Sequence, residues 1–359
     1  MRSLIDILDF TPDELQVMME QAIDIDENPE KYASRCAGKK LATLFFEPST
    51  RTRLSHEAAM IELGGSVIGF SGAQNSSAAK GESVADTAKV VSHYADIIAI
   101  RHPVEGASLV AADNANVPVI NAGDGGHCHP TQTLADILTI YREKGRMNNL
   151  TIGMCGDLKY GRTVHSLINA MTRYPGNKFV CISPEELALP DYALNELKKA
   201  GCEYEITTNL EEALSKLDVL YMTRIQKERF DDADEYERLK DSYCLTADKM
   251  AEAPSDMIVL HPLPRVNEIS VKVDDDPRAC YFKQCLNGKL MRMSLILTLL
   301  ESAADPVKAG YWEKGEIHTG GTCPNAKCIT HSEQELEVKY YTDAEGVCRC
   351  RYCDTAVEL

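Results

Sequence analysis

Short β-branched or aromatic runs alternate with helical patterns along most of the chain from Leu41, and this alternation constrains the fold more than any other feature of its 359 residues. Such a pattern is typical of parallel strands connected by crossover helices. Strands are predicted in the first half at 41–46, 66–70, 96–101 and 117–121. In the second half they are predicted at 150–155, 178–183, 202–207, 218–222 and 257–261. The sequence therefore predicts an α/β protein with two doubly wound parallel sheets.

Two helical segments are predicted to join the two sheet domains. The first begins near Pro130 and ends at Gly145, because glycine is a common helix stop signal. The second, over 276–302, follows the last strand and ends in an apolar stretch that can return to the first domain. We therefore expect a first domain at 1–134 that includes a returning helix at 285–304, and a second domain at 135–284.

The composition changes after these domains. Residues 305–320 contain Pro306, Gly310, Gly315 and Gly320, a pattern that predicts a linker. Five of the chain's 13 cysteines lie in the remaining residues, 321–359, which we expect to form a small β-rich module. The other cysteines are scattered, which favours reduced thiols over a disulfide framework.

The charge of the chain excludes some classes of partner. A formal net charge of −17 disfavours binding to nucleic acid or to an anionic membrane. No apolar run reaches the ~18 residues that a membrane-spanning helix needs, and the N-terminal segment carries acids where a signal peptide carries bases. A cytoplasmic protein is therefore expected, and neither nucleic acid nor a membrane is an expected partner.

A phosphate site is predicted where the first strand meets the following helix. The segment PSTRTR places Ser49 near the helix N-cap, and Leu54, Ala58 and Ile61 continue with helical spacing. A helix N-terminus offers unpaired N–H groups, and the hydroxyls and the guanidinium groups of Arg51 and Arg53 add donors. An ordinary serine cap followed by solvated arginines is the alternative, but three hydroxyls and two arginines on one turn favour an anion site.

Further polar side chains follow other predicted strands. Arg101 closes one strand, and His129 and Gln132 follow a glycine-rich loop at the start of a helix. Ligands bind at the carboxyl ends of strands in open α/β sheets, which favours these residues as part of a site. The alternative for His129 is a capping or surface histidine.

Six motifs in this order make the chain similar to a known family. They are PSTRTR, IRHP, HPTQTLAD, GDLKYGRTVHSL, LYMTRIQKER and HPLPRVNEI. Together they resemble the catalytic chain of aspartate carbamoyltransferases over residues 1–305. The first and third motifs also fit ornithine enzymes, whereas HPLPR favours aspartate. The resemblance implies carbamoyl transfer from carbamoyl phosphate to the amino group of L-aspartate, in pyrimidine biosynthesis, with no cofactor for the reaction.

The resemblance also implies roles for individual residues. The phosphate of carbamoyl phosphate would be held by Ser49, Thr50, Arg51 and Thr52. Its carbonyl oxygen would accept from Thr52, Arg101 and His129, and its amide would be oriented by Gln132 and by the backbone of Leu263 and Pro264. The aspartate carboxylates would be bound by Arg162 and Arg224, assisted by Gln226. The alternative is that these arginines are surface residues that balance an acidic chain.

Two more features follow from the resemblance. The loop FSGAQNSSAAKGESVAD would carry Ser76 and Lys80 into the active site of a neighbouring subunit, for carbamoyl phosphate and aspartate respectively, so a homotrimer is expected. This chain has Ala79 where relatives carry another lysine. Glu47 and Arg229 match positions that stabilise a closed domain arrangement through ion pairs.

The C-terminal cysteines predict a metal site. Cys323 and Cys328, followed by Cys350 and Cys353, have the paired short spacing of a tetrahedral Cys₄ zinc centre, and a module this small has little core of its own. We place Cys348 and His331 outside the ligand set. The module resembles the zinc domain of the aspartate carbamoyltransferase regulatory chain, which implies a structural zinc and a role in assembly.

Two alternatives to this interpretation remain at the level of the sequence. A carbamoyltransferase for ornithine or another amine would share the phosphate motifs. A scaffold with a nucleic-acid-binding zinc module is disfavoured, because residues 321–359 carry seven acids against four Lys and Arg.

Overall fold

The structure is a computed structural model that describes residues 2–225, 233–303, 315–343 and 345–357. It divides into two compact units, one formed by Met1–Thr131 with Lys289–Leu359 and the other by Gln132–Gly288. The unit boundaries at 131/132 and 288/289 lie three and four residues from the predicted domain limits at 134/135 and 284/285.

The first unit contains a four-stranded parallel sheet in the order β2-β1-β3-β4. Its strands are β1 Lys40–Phe45, β2 Ser66–Ser71, β3 Ile97–His102 and β4 Val119–Asp124. Its helices are α1 Pro12–Glu27, α2 Thr50–Glu62, α3 Val84–Val91 and α4 Ala107–Asn114. The near-continuous burial of β1, β3 and β4 follows from their apolar runs, as expected for strands covered on both faces.

The second unit contains a five-stranded parallel sheet in the order β7-β6-β5-β8-β9. Its strands are β5 Thr151–Cys155, β6 Lys178–Ile182, β7 Glu203–Thr207, β8 Val219–Met222 and β9 Ile258–Leu260. Its helices include α6 Arg162–Met171, α7 Asp191–Lys199, α8 Leu210–Leu214, α9 Ala233–Leu239 and α10 Ala247–Glu252. The two sheets confirm the predicted α/β class.

Two helices contain the boundaries between the units. Helix α5, Pro130–Lys144, includes the first boundary, and helix α11, Tyr281–Ala303, includes the second. Both were predicted as connecting helices, and α5 ends immediately before Gly145, which adopts a left-handed φ of 67°. Glycine tolerates this conformation without steric cost, which accounts for the helix end.

The C-terminal module is a three-stranded antiparallel sheet. It comprises β10 Ile317–Thr319, β11 Lys339–Thr342 and β12 Cys348–Cys350, in the order β10-β11-β12. Strand β10 lies inside the predicted linker 305–320. The glycines around it favoured a linker, but its residues pair with β11 and belong to the sheet. The module therefore begins before residue 321.

None of the helices in the described ranges combines the length and the apolar character needed to cross a membrane.

Candidate functional site

In the first unit, the ends of β1 and β3 lie side by side. Phe45 pairs with Arg101, and the Phe46 N–H donates to the Arg101 carbonyl over 2.9 Å. The chain then runs into α2, whose N-cap is Ser49 with an extended backbone and without a side-chain capping bond. The predicted anion-binding turn and Arg101 therefore share one edge of the sheet, with the N-terminus of α2 presented there.

Arg101 lies among three other groups of this unit. Its guanidinium nitrogens contact a Glu47 carboxylate oxygen at 2.6 Å, the Ala122 carbonyl at 3.2 Å and His129 Nε2 at 3.4 Å. The backbone also approaches closely, because a Cβ added at Gly123 would lie 2.8 Å from Arg101 Nη1. The structure thus brings together Arg101 and His129, both largely buried.

Helix α2 buries a different face from the one its apolar residues suggested. Leu54 and Ile61 are 58% and 59% exposed, whereas Thr52 and His56 are buried. His56 Nδ1 donates to the Thr52 carbonyl over 2.8 Å, and burial together with Arg292 lowers the pKa of His56 to about 3. A neutral imidazole therefore supports the turn that carries Thr52, a role that the sequence analysis did not assign.

Arg53, predicted as a donor to the anion site, pairs with a carboxylate of its own helix. Arg53 Nε donates to Glu57 Oε1 over 2.6 Å, one helical turn further along, and Glu57 also accepts from Thr43. This i,i+4 pair engages one nitrogen of the Arg53 guanidinium, and the contribution of Arg53 to the anion site stays a prediction. Arg51 is exposed at the same turn.

The loop with Ser76 and Lys80 starts at the same sheet edge. The Gly72 and Ala73 N–H groups donate to the carbonyls of Phe45 and Phe46. Ser76 caps a short 3₁₀ turn, Ser77–Lys80, through a bond from the Ala78 N–H, and the Lys80 side chain is exposed. Lys80 is thus displayed on the surface of its own unit.

In the second unit, Arg162 and Arg224 follow adjacent parallel strands. Arg162 is the first residue of α6 after β5, and Arg224 lies two residues beyond β8. The two loops are tied together because the Thr223 hydroxyl donates to the Cys155 carbonyl and accepts from the Asp157 N–H. Both arginines therefore belong to one edge of the second sheet.

The segment with Leu263 and Pro264 follows β9 at the same carboxyl edge. Leu263 has a positive φ of 53° and precedes a cis peptide bond, and its N–H donates to His261 Nδ1 over 2.7 Å. His261 Nε2 lies 2.7 Å from Glu268. Burial alone would raise the pKa of Glu268, but hydrogen bonds from His261 and from the backbone lower it. A buried network of hydrogen bonds through His261 therefore holds this loop.

Of three other predicted residues, the structure describes only Gln132. Gln132, in the first turn of α5, donates to Asp136 over 2.8 Å and is counted in the second unit. Gln226 and Arg229 lie outside the described residues.

The four predicted zinc ligands lie together. All four cysteines are buried, and their sulfurs are within 4.8 Å of one another. Two of the separations are 3.5 Å, from Cys323 to Cys353, and 3.7 Å, from Cys328 to Cys350. Four sulfurs about 2.3 Å from one zinc ion in a tetrahedron are roughly 3.8 Å apart, so the residues fit a zinc centre. His331 Nε2 donates to the Cys323 carbonyl, consistent with its place outside the ligand set.

A histidine that the sequence analysis left unassigned lies between two carboxylates. His127 Nδ1 is 3.2 Å from Asp124, and Nε2 is 3.1 Å from Asp354 of the C-terminal module. Burial disfavours the charged imidazole, but Cys128 and the two carboxylates raise the pKa of His127 well above its ordinary value. Its contact spans 227 positions, so no local sequence pattern could have revealed it.

Comparison with known proteins gives the class to which this fold and site belong. The carbamoyl-phosphate-binding domain of aspartate/ornithine carbamoyltransferases matches residues 2–142, and their Asp/Orn-binding domain matches residues 148–299. The metal-binding domain of the aspartate carbamoyltransferase regulatory chain matches residues 317–359. The last match begins at β10, in agreement with the strand pairing.

Individual relatives are more specific. The aspartate carbamoyltransferase catalytic subunits of Clostridium novyi and Lachnoclostridium phytofermentans are 60% and 62% identical, over 83% and 84% of this chain and 98% of each relative. The solved catalytic subunit of M. jannaschii aspartate transcarbamoylase superposes with a TM-score of 0.79 at 45% identity, covering 85% of this chain and all of that one. The Trypanosoma cruzi enzyme in complex with N-(phosphonacetyl)-L-aspartic acid gives 0.78 at 39% identity, covering 83% and 95%. The chain belongs to the aspartate carbamoyltransferase family.

Proposed function

We propose that this chain transfers the carbamoyl group of carbamoyl phosphate to the amino group of L-aspartate, giving N-carbamoyl-L-aspartate and phosphate. The observation that carries the proposal is the pairing of Arg101 with His129 beside the N-terminus of α2, at the carboxyl edge of the first sheet. A T. cruzi relative has been solved with carbamoyl phosphate and aspartate, which supports the choice of substrates.

In this proposal the first unit binds carbamoyl phosphate. The backbone N–H groups at the start of α2, with Ser49, Thr50, Arg51 and Thr52, bind the phosphate. Thr52, Arg101 and His129 donate to the carbonyl oxygen. Donors fixed in a buried site stabilise the negative charge that grows on this oxygen as the tetrahedral intermediate forms.

The second unit binds aspartate. Arg162 and Arg224 supply two guanidinium groups, which suit the two carboxylates of a dicarboxylic acid. We assign Gln226 to the same substrate. Gln132 and the backbone at Leu263 and Pro264 orient the carbamoyl amide, and the buried His261–Glu268 pair keeps that backbone in place.

The reaction itself needs no covalent intermediate on the protein. The aspartate nitrogen forms a bond to the carbonyl carbon, the bond from that carbon to the phosphate oxygen breaks, and the amine proton leaves with the phosphate. Positioning and charge stabilisation account for the rate enhancement. We propose no cofactor for this step.

We further propose a homotrimer with shared active sites. Lys80 is exposed on its own unit, which suits a group that acts in a neighbour. Helix α2 also exposes Leu54 and Ile61, beside the edge strand β2 with its partly exposed Ile68, and a second copy would bury these apolar side chains.

For the module we propose a structural zinc ion held by Cys323, Cys328, Cys350 and Cys353. Four thiolates leave no open coordination position, so the metal contributes folding free energy and takes no part in the reaction. None of the 13 cysteines forms a disulfide, which suits the cytoplasm as a reducing compartment.

The test is an acceptor panel. Purified full-length protein with carbamoyl phosphate is assayed for phosphate release and carbamoylated product with aspartate, glutamate, ornithine and putrescine. Aspartate should give a kcat/KM at least about a hundredfold above ornithine and putrescine, because acceptors that lack one or both carboxylates leave a cation unpaired in the site. Glutamate keeps both carboxylates and should fall roughly tenfold or more below aspartate, because its extra methylene displaces the second carboxylate. Preference for ornithine would contradict the assignment of Arg162 and Arg224.

A further inference from the structure

The zinc module packs directly on the first sheet domain of its own chain. Glu105 forms a parallel β-bridge with Cys328, with backbone bonds of 3.0 Å to Lys327 and 2.9 Å from Ile329. Tyr352, 2% exposed, lies so close to Gly106 that an added Cβ there would be 2.6 Å from the tyrosine Cβ. The two parts share one hydrophobic core, in which Tyr352 and Ile329 are buried with Val110.

Polar contacts from the module converge on the segment before His129. Asp354 accepts from His127 Nε2 over 3.1 Å, and His127 Nδ1 contacts the fully buried Asp124. Asp124 in turn accepts from the N–H groups of Gly106 and Cys128. The module therefore reaches, through one imidazole, the turn that leads into His129.

A second path reaches the same segment. Asn325 of the module donates to Glu105 Oε2 over 2.6 Å, and the other oxygen of Glu105 accepts from the Gly126 N–H over 3.2 Å. Asn325 lies between Cys323 and Cys328, and Asp354 directly follows Cys353. Both groups are consequently fixed by neighbours that we assign as metal ligands.

A third contact holds the helix that follows the Lys80 loop. The Glu333 carboxylate accepts from the N–H groups of Val84 and Ala85, at 3.0 and 2.8 Å. These are the first two residues of α3, whose N–H groups have no partner within the helix. A carboxylate there also interacts favourably with the helix dipole.

We propose that Asp354 and Glu333 are positioning residues through which the zinc module sets the geometry of the His129 segment and of the Lys80 loop. The inference rests on the proposed function, which gives His129 and Lys80 their roles. Neither carboxylate touches substrate, so each acts through the backbone it holds. Zinc occupancy controls both contacts because the module depends on its metal to fold.

The experiment uses full-length protein with zinc and the variants Asp354→Asn and Glu333→Ala. Asparagine keeps the left-handed conformation of residue 354, whose φ is 59°. Glu316→Ala removes an exposed carboxylate of the same module and is the matched control. Zinc per chain, amide hydrogen exchange of peptides covering residues 84–85 and 124–128, and kcat and KM are measured for each.

Glu333→Ala should accelerate exchange at Val84 and Ala85 about tenfold, because each loses a bond to a charged acceptor. Asp354→Asn should accelerate exchange at 124–128 and lower kcat about tenfold with KM for carbamoyl phosphate nearly unchanged, since His129 acts mainly on the transition state. Removing zinc with a chelator should accelerate exchange in both peptides, and Glu316→Ala should change neither.

Unchanged exchange and unchanged kcat in zinc-loaded Asp354→Asn and Glu333→Ala would overturn the proposal. Loss of zinc from these variants would also overturn it, since both residues would then serve the folding of the module. A wild-type protein that does not carbamoylate aspartate refutes the proposed function instead, and the exchange measurements distinguish the two failures.

Discussion

Nη1 of Arg101 lies 3.4 Å from Nε2 of His129. Because arginine keeps its protons, Nε2 is the acceptor in this contact and Nδ1 carries the ring hydrogen. Nδ1 faces the Thr131 hydroxyl at 3.4 Å. An oxygen placed between the two side chains would accept from both once the ring hydrogen moves to Nε2.

Replacement of His129 tests this arrangement. His129→Ala should lower kcat by about 10²- to 10³-fold, because one donor to a developing oxyanion is lost. Steady-state kinetics provides the measurement, and His93→Ala, which removes an exposed histidine, is the control. A fall of less than about fivefold would contradict a role at the carbonyl oxygen.

Replacement of Arg162 tests the acceptor site. Arg162→Ala should raise KM for aspartate by roughly 10- to 100-fold, since a hydrogen bond between charged groups is lost. Arg238→Ala, which removes a 60% exposed guanidinium paired with Glu186, should have almost no effect. Equal effects of the two substitutions would count against an aspartate site at Arg162.

Mixing inactive variants tests the shared site. Lys80→Ala and Arg101→Ala proteins are each expected to be nearly inactive. After joint dissociation and reassociation, activity should return in part, because some hybrid trimers regain one site with both residues intact. Analytical ultracentrifugation verifies the trimers, and mixtures with no activity above either parent would refute sharing.

The buried histidine on α2 predicts a pH dependence of stability. The pKa of His56 is lowered to about 3 in the folded state, so below its ordinary value near 6.5 the unfolded chain binds a proton that the folded chain does not. As the pH is lowered below about 6.5, the free energy of unfolding should therefore decrease by about 1.4 kcal/mol per pH unit from His56 alone. Unfolding of wild type and His56→Gln in urea between about pH 6.5 and 5 should show a shallower dependence for the variant. Parallel dependences would show that His56 is not buried as a neutral group.

Tyr352 tests the core shared by the module and the first sheet. Tyr352→Ala should reduce the free energy of unfolding by roughly 3 kcal/mol, because a fully buried aromatic side chain is removed. Tyr94→Ala, at a site 61% exposed, should change it by less than about 0.5 kcal/mol. If calorimetry of the wild-type protein shows the module unfolding in a separate transition at lower temperature, a core shared with the first sheet is contradicted.

Local hydrophobic patterns in the sequence were sufficient to predict most strands of the two parallel sheets. Apolar runs placed β6 and β8 to within a residue or so, because parallel strands that are buried on both faces leave a continuous signal. Strand β10 was missed because its partner, β11, is distant in the chain and its flanks are rich in glycine. Pairing between remote segments leaves no local periodicity.

The candidate site divides in the same way. Motif residues at strand ends, such as Arg101 and His129, were predictable because the topology gathers the carboxyl ends of parallel strands. The i,i+4 spacing of Arg53 and Glu57 favours the ion pair that the structure shows, but the sequence analysis did not include this pair. The contacts of His127 and Glu333 depend on how the module packs, and neither charge nor spacing in the sequence encodes it.

The bridge between Glu105 and Cys328 has a thermodynamic consequence for the attachment of the module. Because both partners lie on one polypeptide, docking is unimolecular, and a short connection gives an effective concentration of the order of millimolar. A contact too weak to hold two separate proteins together at cellular dilution is then almost fully formed. Each catalytic domain consequently carries one module at every protein concentration, and the ratio of the two cannot drift with expression.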